Sequence, residues 1–289
     1  MTNEKPVVYQ GGNSQLFGVL HRPSPRRDLR HGVLFVPGEP DLLFGTHSMY
    51  VYGARQLAHA GFHCLRFDFG GRGNSEAGGK FTPVGDCVKS TRFLESETDI
   101  DAVSCVAKCF GAGVALYCLA AATLNWQRLV MWSPTELADK RSMDIRRSAK
   151  YLKAAVVDFW GLYAEAKNQF TSPRRVDVPE EENLDHIPIE NLVTKDRLRT
   201  TVHALGIYPS GDPSSRECTR DYEALCRFIG GISYEMRMVE DSDHSYRSHD
   251  KVQEVVQMTV DWLSESSPAV RRTSGIKAQS ATRLDHCYA

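Results

Sequence analysis

The chain has 289 residues, 42% of them hydrophobic, which is enough for one large α/β domain or a domain carrying an insertion. Its 35 Lys and Arg against 36 Asp and Glu leave a net charge of −1, so nothing marks a nucleic-acid footprint. No apolar run reaches membrane-spanning length, and Met1–Pro6 lacks the apolar core of a signal peptide, so a cytoplasmic location and no membrane partner are expected.

In chain order, Val7–Tyr9 and Gln15–Leu20 read as two strands joined by Gly11–Ser14, an antiparallel hairpin. A polar loop, Pro23–Arg30, leads to the fully apolar strand Gly32–Val36 and then to Pro37-Gly38-Glu39-Pro40. Tyr50, Ala54, Leu57 and Ala58 lie at helical spacing in a segment running from about Ser48 to Gly61. Phe62–Asp68 is the next strand, and it runs into Phe69-Gly-Gly-Arg-Gly-Asn-Ser75. A Rossmann fingerprint would open directly into a helix, whereas here Glu76–Lys80 prolongs the loop, which sets a dinucleotide site aside. A helix is expected over about Gly85–Leu94, followed by a short buried strand, Val103–Ala107, and an apolar helix-period segment, Val114–Ala121. Arg128–Trp132 is another buried strand.

From Thr135 to about Arg199 the pattern changes. Ile145, Ala149, Leu152, Val156 and Phe159 repeat with helical spacing, and the polar run Arg174–Asp185 follows. The span is far longer than an ordinary crossover, so 135–199 is expected to be a helical insertion. Strand character returns at Val202–Tyr208 and Ser233–Val239, with a helix between them carrying Tyr222, Leu225, Cys226 and Phe228. A last helix spans about Asp250–Leu263, and the patternless 266–289 reads as a tail. An antiparallel start followed by alternating strand and helix is a mostly parallel sheet with helices on both faces. The expected organisation is a core of 1–134 and 200–265 with an insertion at 135–199.

The eight cysteines include no CxxC pair, and in a long chain without a secretion signal they read as reduced thiols; a zinc site is not expected. Cys109 stands apart. It lies between the strand Val103–Ala107 and the following helix, with Ala107 two residues before it and Gly111 two residues after. Small flanks at that spacing suit a tight strand-to-helix turn whose strained apex projects above the sheet edge. The alternative for Cys109 is a plain buried thiol in an ordinary strand-turn-helix unit.

Ala107–Gly111 resembles the nucleophile elbow of the α/β-hydrolase family, G-x-S-x-G, with Ala107 for the first glycine and Cys109 for serine. Asp68–Ser75 is similar to the D-x-x-G-x-G-x-S turn that follows the fourth strand in many of its members. The resemblance implies an eight-stranded, mostly parallel α/β-hydrolase sheet, with 135–199 as a helical cap. It also implies a nucleophile, an acid and a histidine in that chain order, each after a strand, and the matching residues are Cys109, Asp212 and His244. Asp241 and Asp243 are rivals for the acid, and His249 for the histidine. His203, inside a strand, reads as a packed histidine, while His47 and His63 belong to no motif. Two backbone N–H groups of an oxyanion hole are implied at Phe110 and at Glu39. Many members carry H-G-x-P at the second place, where this chain has Pro37.

A thiol is mostly protonated at neutral pH, so His244 is needed to take its proton, and Asp212 to hold the ring and its charge. The N-terminus of the helix after Cys109 favours a thiolate, and Lys108, beside the apex, is weighed less. A cysteine nucleophile forms a thioester, and thioester exchange is nearly balanced in energy, which suits transfer. The site resembles cysteine-dependent aminoacyltransferases of nonribosomal peptide pathways, dienelactone hydrolases and exosortase-associated hydrolases. Acyl or aminoacyl transfer from thioesters, on a carrier protein or of coenzyme A type, is the first expectation. An ester, lactone or thioester hydrolase with the same residues is the second, and a silent binding protein that kept the pocket is the third. None of these chemistries requires a metal or organic cofactor. The sequence does not specify an oligomeric state.

Overall fold

A computed structural model describes residues 3–77, 81–121, 124, 126–135 and 201–265. The expected cap, apart from Thr135, and the tail 266–289 lie outside the described residues. The strands are β1 (Asn3–Gln10), β2 (Gln15–Arg22), β3 (His31–Val36), β4 (His63–Phe67), β5 (Ala102–Lys108), β6 (Trp126–Trp132), β7 (Val202–Pro209) and β8 (Ile232–Val239). The helices among the described residues are α1 (Met49–Ala60), α2 (Pro83–Glu97), α3 (Phe110–Ala121), α4 (Ser215–Ile229) and α5 (His249–Ser264), with short 3-10 turns at Pro25–Arg27 and Thr46–Ser48.

The strands form one sheet in the order β1-β2-β4-β3-β5-β6-β7-β8. β1 and β2 pair antiparallel, as do β2 and β4, and every pairing from β4 through β3 to β8 is parallel. Side chains alternate between the two faces of a strand. Val33 and Phe35 of β3, Val106 of β5, Val130 and Trp132 of β6, and Leu205 and Ile207 of β7 point to one face, where α1 and α5 cover them. Leu34, Val36, Cys105, Ala107, Leu129, Met131 and Ala204 point to the other, beneath α2, α3 and α4. A strand covered on both faces must be apolar throughout, and β3, β4 and β5 are buried along nearly their whole length. No disulfide occurs among the described residues, nor is any of their helices long and apolar enough to cross a membrane.

Two helices start earlier than periodicity alone suggests. α2 begins at Pro83, whose missing N–H and fixed φ suit the first helical turn. α3 begins at Phe110 rather than Val114, immediately after a residue with positive φ, Cys109. His203 differs from expectation too: it is exposed on β7, and its Nδ1 lies 2.8 Å from Ser233 Oγ. Parallelism puts the carboxyl ends of β3 through β8 on one edge of the sheet. Six loops therefore meet there, following Val36, Phe67, Lys108, Trp132, Pro209 and Val239.

His31 opens β3 and is buried, with its Nε2 2.8 Å from Ser104 Oγ. Burial pushes its pKa down to about 4, with Arg128 adding to the effect. A histidine depressed in the folded state stays neutral there while the unfolded chain takes up a proton near pH 6.5. The stability it carries is present above that pH and lost as pH falls from about 6.5 toward 4, up to about 3 kcal/mol. Urea unfolding between pH 7 and 4.5 is expected to show a flatter loss of stability for His31→Gln than for the wild type; parallel slopes would contradict this.

Candidate active site

β5 delivers Cys109 to the carboxyl edge of the sheet with φ 52°, a left-handed conformation that only glycine adopts without cost. The surroundings hold it there. Cys109 N–H donates to Trp132 C=O at 2.9 Å, and Cys109 C=O accepts from Ala112 N–H at 3.0 Å. Two residues on, a Cβ at Gly111 would sit 2.6 Å from Pro37 O and 2.7 Å from Val36 O, so the end of β3 closes on the turn and only glycine fits. The small flank at Ala107 is fully buried. Cys109 itself is 8% exposed.

His244 sits in the loop after β8, and that loop is pinned on several sides. Ser242 Oγ donates to Val239 C=O at 2.7 Å, Gly211 N–H to Ser242 C=O at 2.8 Å, and Tyr246 OH to Ile207 C=O at 3.0 Å. His244 Nδ1 lies 2.7 Å from Asp212 Oδ2. The ring also hydrogen-bonds the side chain of Cys109. That hydrogen bond raises the pKa of His244; burial opposes it, and the hydrogen bond and charge of Asp212 reinforce it.

Asp212 stands after β7. Its other oxygen, Oδ1, accepts from Ser214 N–H at 3.0 Å and Ser214 Oγ at 2.8 Å. Burial alone would raise its pKa, but the bonds from His244 and Ser214 outweigh it and hold the carboxyl below its usual range. The rivals are engaged elsewhere. Asp243 Oδ1 accepts from Ser245 N–H at 3.0 Å, and its Oδ2 pairs with Arg247 at 3.0 Å. Asp241 occupies a left-handed turn position, φ 50°. His249 opens α5 with its Nε2 3.0 Å from Gln253. His63 is buried against Asp28, 3.0 Å away, and His47 is exposed.

The remaining two residues singled out in the sequence flank this group. Phe110 is the first residue of α3, directly after Cys109. Glu39 lies on the loop after β3, with its carboxylate 2.6 Å from Arg72 Nη2. On the same loop a Cβ at Gly38 would lie 3.0 Å from Cys109 Cβ, so the backbone there packs directly on the cysteine.

Sequence reasoning missed what Lys108 does. Its ammonium is buried 2.8 Å from Asp41 Oδ2 and 3.2 Å from Thr46 Oγ1. Thr46 Oγ1 donates to Asp41 Oδ1 at 2.7 Å, and Tyr50 OH to Asp41 Oδ2 at 3.1 Å. Burial would raise the pKa of Asp41, but Lys108, Thr46 and Tyr50 together lower it. The only signal in the sequence was a lysine beside the apex of a buried turn, a position that calls for a counter-ion. The Asp68–Ser75 turn is scaffolding for the same edge. Asp68 accepts from Leu43 N–H at 2.7 Å and Asn74 N–H at 3.0 Å, joining its own turn to the loop after β3.

A family model described as alpha/beta hydrolase fold matches residues 33–180. The chain belongs to the alpha/beta hydrolase fold family. Among solved structures it is similar to a serine hydrolase without lid from Xanthomonas campestris, with 14% identity over 92% of this chain and 96% of that one, TM-score 0.57. It is also similar to a dienelactone hydrolase from Anabaena variabilis, with 15% identity, 90% and 96% coverage and TM-score 0.56. A serine hydrolase homologue from Coxiella burnetii gives 17% identity, 91% and 98% coverage and TM-score 0.55. Among curated proteins no relative matches. At these identities the likeness is one of fold.

The raised pKa of His244 and the lowered pKa of Asp212 fix the direction of a titration experiment. Asp212→Asn removes an anion that favours the imidazolium, so the His244 pKa should fall, as read by ring-proton NMR. His244 contributes stability fully below pH ~6.5, lost as pH rises through its raised pKa. Asp212 contributes stability above pH ~3.9, lost as pH falls through its lowered pKa. An unchanged or raised His244 pKa in the variant would break the link between the two residues.

Proposed function

We propose that the protein transfers acyl or aminoacyl groups from thioesters through a covalent thioester on Cys109. The observation that carries this reading is a cysteine at the left-handed apex of the elbow, hydrogen-bonded to a histidine that a carboxylate orients. His244 takes the Cys109 proton, and the sulfur attacks the acyl carbon. As the tetrahedral intermediate collapses, the carbon–sulfur bond to the donor breaks and the departing thiol takes its proton from His244. Asp212 stays ionised throughout and stabilises the imidazolium. An acceptor thiol then repeats the sequence in reverse, so the bond broken and the bond formed are alike.

The substrate oxygen becomes anionic in both halves and needs donors. The N–H of Phe110 is assigned as the first. On the loop after β3, Pro37 has no N–H and that of Gly38 donates to Tyr50 OH at 3.1 Å, so Glu39 N–H is assigned as the second. The subtype closest to this reading is the cysteine-dependent aminoacyltransferase, with the acyl group presented on a carrier protein or a coenzyme A type thiol.

A second reading, hydrolysis of an ester, lactone or thioester by the same residues, is favoured by the names of the similar structures: a dienelactone hydrolase and serine hydrolases. One experiment separates the two. The protein is incubated with a panel of acyl and aminoacyl thioesters on small thiols and on carrier proteins. Mass on Cys109 is followed, then water alone or an acceptor thiol is supplied. Transfer predicts an adduct that persists in water and is lost rapidly to the acceptor, whereas hydrolysis predicts turnover in water without one. Cys109→Ala should reduce labelling by at least about 10³-fold in either case. Cys109→Ser should depress transfer to a thiol much further than hydrolysis, because an oxygen ester is the poorer donor. If no thioester labels the wild type and its Cys109 reacts with alkylating agents no faster than a free thiol, the enzymatic reading gives way to a binding protein.

A further inference from the structure

The buried pair Lys108–Asp41 takes no direct part in the acyl transfer proposed above, yet it joins the two segments on which that transfer depends. Lys108 is the last residue of β5 and immediately precedes Cys109. Asp41 belongs to the loop after β3, two residues beyond Glu39. The pair is 2.8 Å apart, and the two side chains are 4% and 10% exposed, so water screens it little. Removing either partner leaves the other charge buried and uncompensated.

The pair also reaches the backbone. Gly38 N–H donates to Tyr50 OH, and Tyr50 OH donates to the same Asp41 Oδ2 that Lys108 holds. Tyr50 is anchored in α1, 1% exposed, and stacks on Trp132 with ring centroids 6.1 Å apart. The chain Gly38 N–H, Tyr50 OH, Asp41 carboxylate and Lys108 ammonium thus fixes which way the Pro37–Gly38 peptide faces, immediately before the unit that carries the Glu39 N–H. Two further contacts hold the same loop, Leu43 N–H to Asp68 and the Glu39 carboxylate to Arg72.

We infer that Lys108, Asp41 and Tyr50 are positioning residues: they clamp the loop after β3 onto the elbow so that its N–H meets the developing oxyanion, rather than supplying charge to the Cys109 thiolate. The inference rests on the reading of Cys109 as an acyl-accepting nucleophile. The two roles differ in sign. If Lys108 acted on the thiolate, Lys108→Met would slow every reaction of the sulfur, and Asp41→Asn, which uncovers the lysine charge, would speed them. A clamp gives the same sign for both variants and touches only reactions that build an oxyanion.

The test uses the full chain and two probes of Cys109. Iodoacetamide alkylation displaces iodide at a saturated carbon and builds no oxyanion, whereas acylation by a thioester does. In Lys108→Met, Asp41→Asn and Tyr50→Phe, alkylation rates should stay within about twofold of wild type. Acylation should fall by at least about 10-fold, toward the about 10²–10³-fold that loss of an oxyanion donor brings. The loss should appear in the maximal rate and not in the thioester concentration for half-saturation. The exchange Lys108→Asp with Asp41→Lys should recover part of it. Where the charge variants do not fold, as circular dichroism would show, Tyr50→Phe carries the test, since it keeps both charges and the ring. Variants acylated at the wild-type rate overturn the clamp alone. Alkylation and acylation falling together, or moving in opposite directions in Lys108→Met and Asp41→Asn, overturn it in favour of a thiolate role. A wild type that accepts no acyl group overturns the functional reading, and this role with it.

Discussion

The end of β3 and the turn after β5 meet without room for a single extra carbon. Gly111 abuts the carbonyl oxygens of Val36 and Pro37, and Gly38 abuts Cys109 Cβ and the Lys108 carbonyl. This contact explains the strain at Cys109 better than any property of cysteine. The chain must leave β5, reverse into α3 and pass beneath the β3 loop within three residues. The left-handed φ at Cys109 is how it does so, and the bond from Cys109 N–H to Trp132 C=O repays part of the cost. The same reversal lifts the sulfur clear of the sheet and starts a helix directly behind it, so geometry and electrostatic environment come from one constraint.

Carboxylates tie the other loops to this edge, and they do different things according to what they accept. Asp86 is almost wholly buried on α2 and accepts from Gly12 N–H and Gly70 N–H, both at 2.9 Å, joining the β1–β2 turn to the loop after β4. Burial pushes its pKa up to about 6 despite the two amides. Asp41 is partly buried and faces an ammonium; burial would raise its pKa, yet it goes down. Asp212 is more open to water and still lowered, because a histidine and a serine converge on it. Hydrogen bonds from backbone amides do not outweigh desolvation here, whereas a formal charge or a convergent set of side-chain donors does. The acid that faces His244 is therefore ionised at neutral pH, as the proposed chemistry needs.

The sheet was legible because burial on both faces demands apolar runs, and Gly32–Val36, Val103–Ala107 and Arg128–Trp132 are such runs. The elbow was legible because steric crowding leaves a record in small residues, Ala107 and Gly111. The resemblance to the family's order of nucleophile, acid and histidine singled out Asp212 and His244, and His244 lies against both Asp212 and Cys109. The pairing of Lys108 with Asp41 spans 67 residues and carries no periodicity or motif, so nothing local reported it. His203 misled for a related reason. A strand position predicts alternation, but which phase is covered depends on neighbours, and at the start of β7 that phase is open to solvent.

Pro37 stands where many members of the family carry histidine, and the local structure accounts for how the loop works without it. A proline offers no N–H and no polar side chain, so the first amide after β3 is that of Gly38. Its partner comes from outside the loop, the hydroxyl of Tyr50 on α1, and Asp41 and Lys108 satisfy that hydroxyl in turn. Orientation that a side chain on the loop would otherwise supply is thus provided by a helix packed beneath it and by the residue beside the elbow. The consequence is coupling: the loop after β3 and the turn that carries the sulfur share one charge pair. A displacement of either is transmitted to the other through an ammonium and a carboxylate that are little exposed to water.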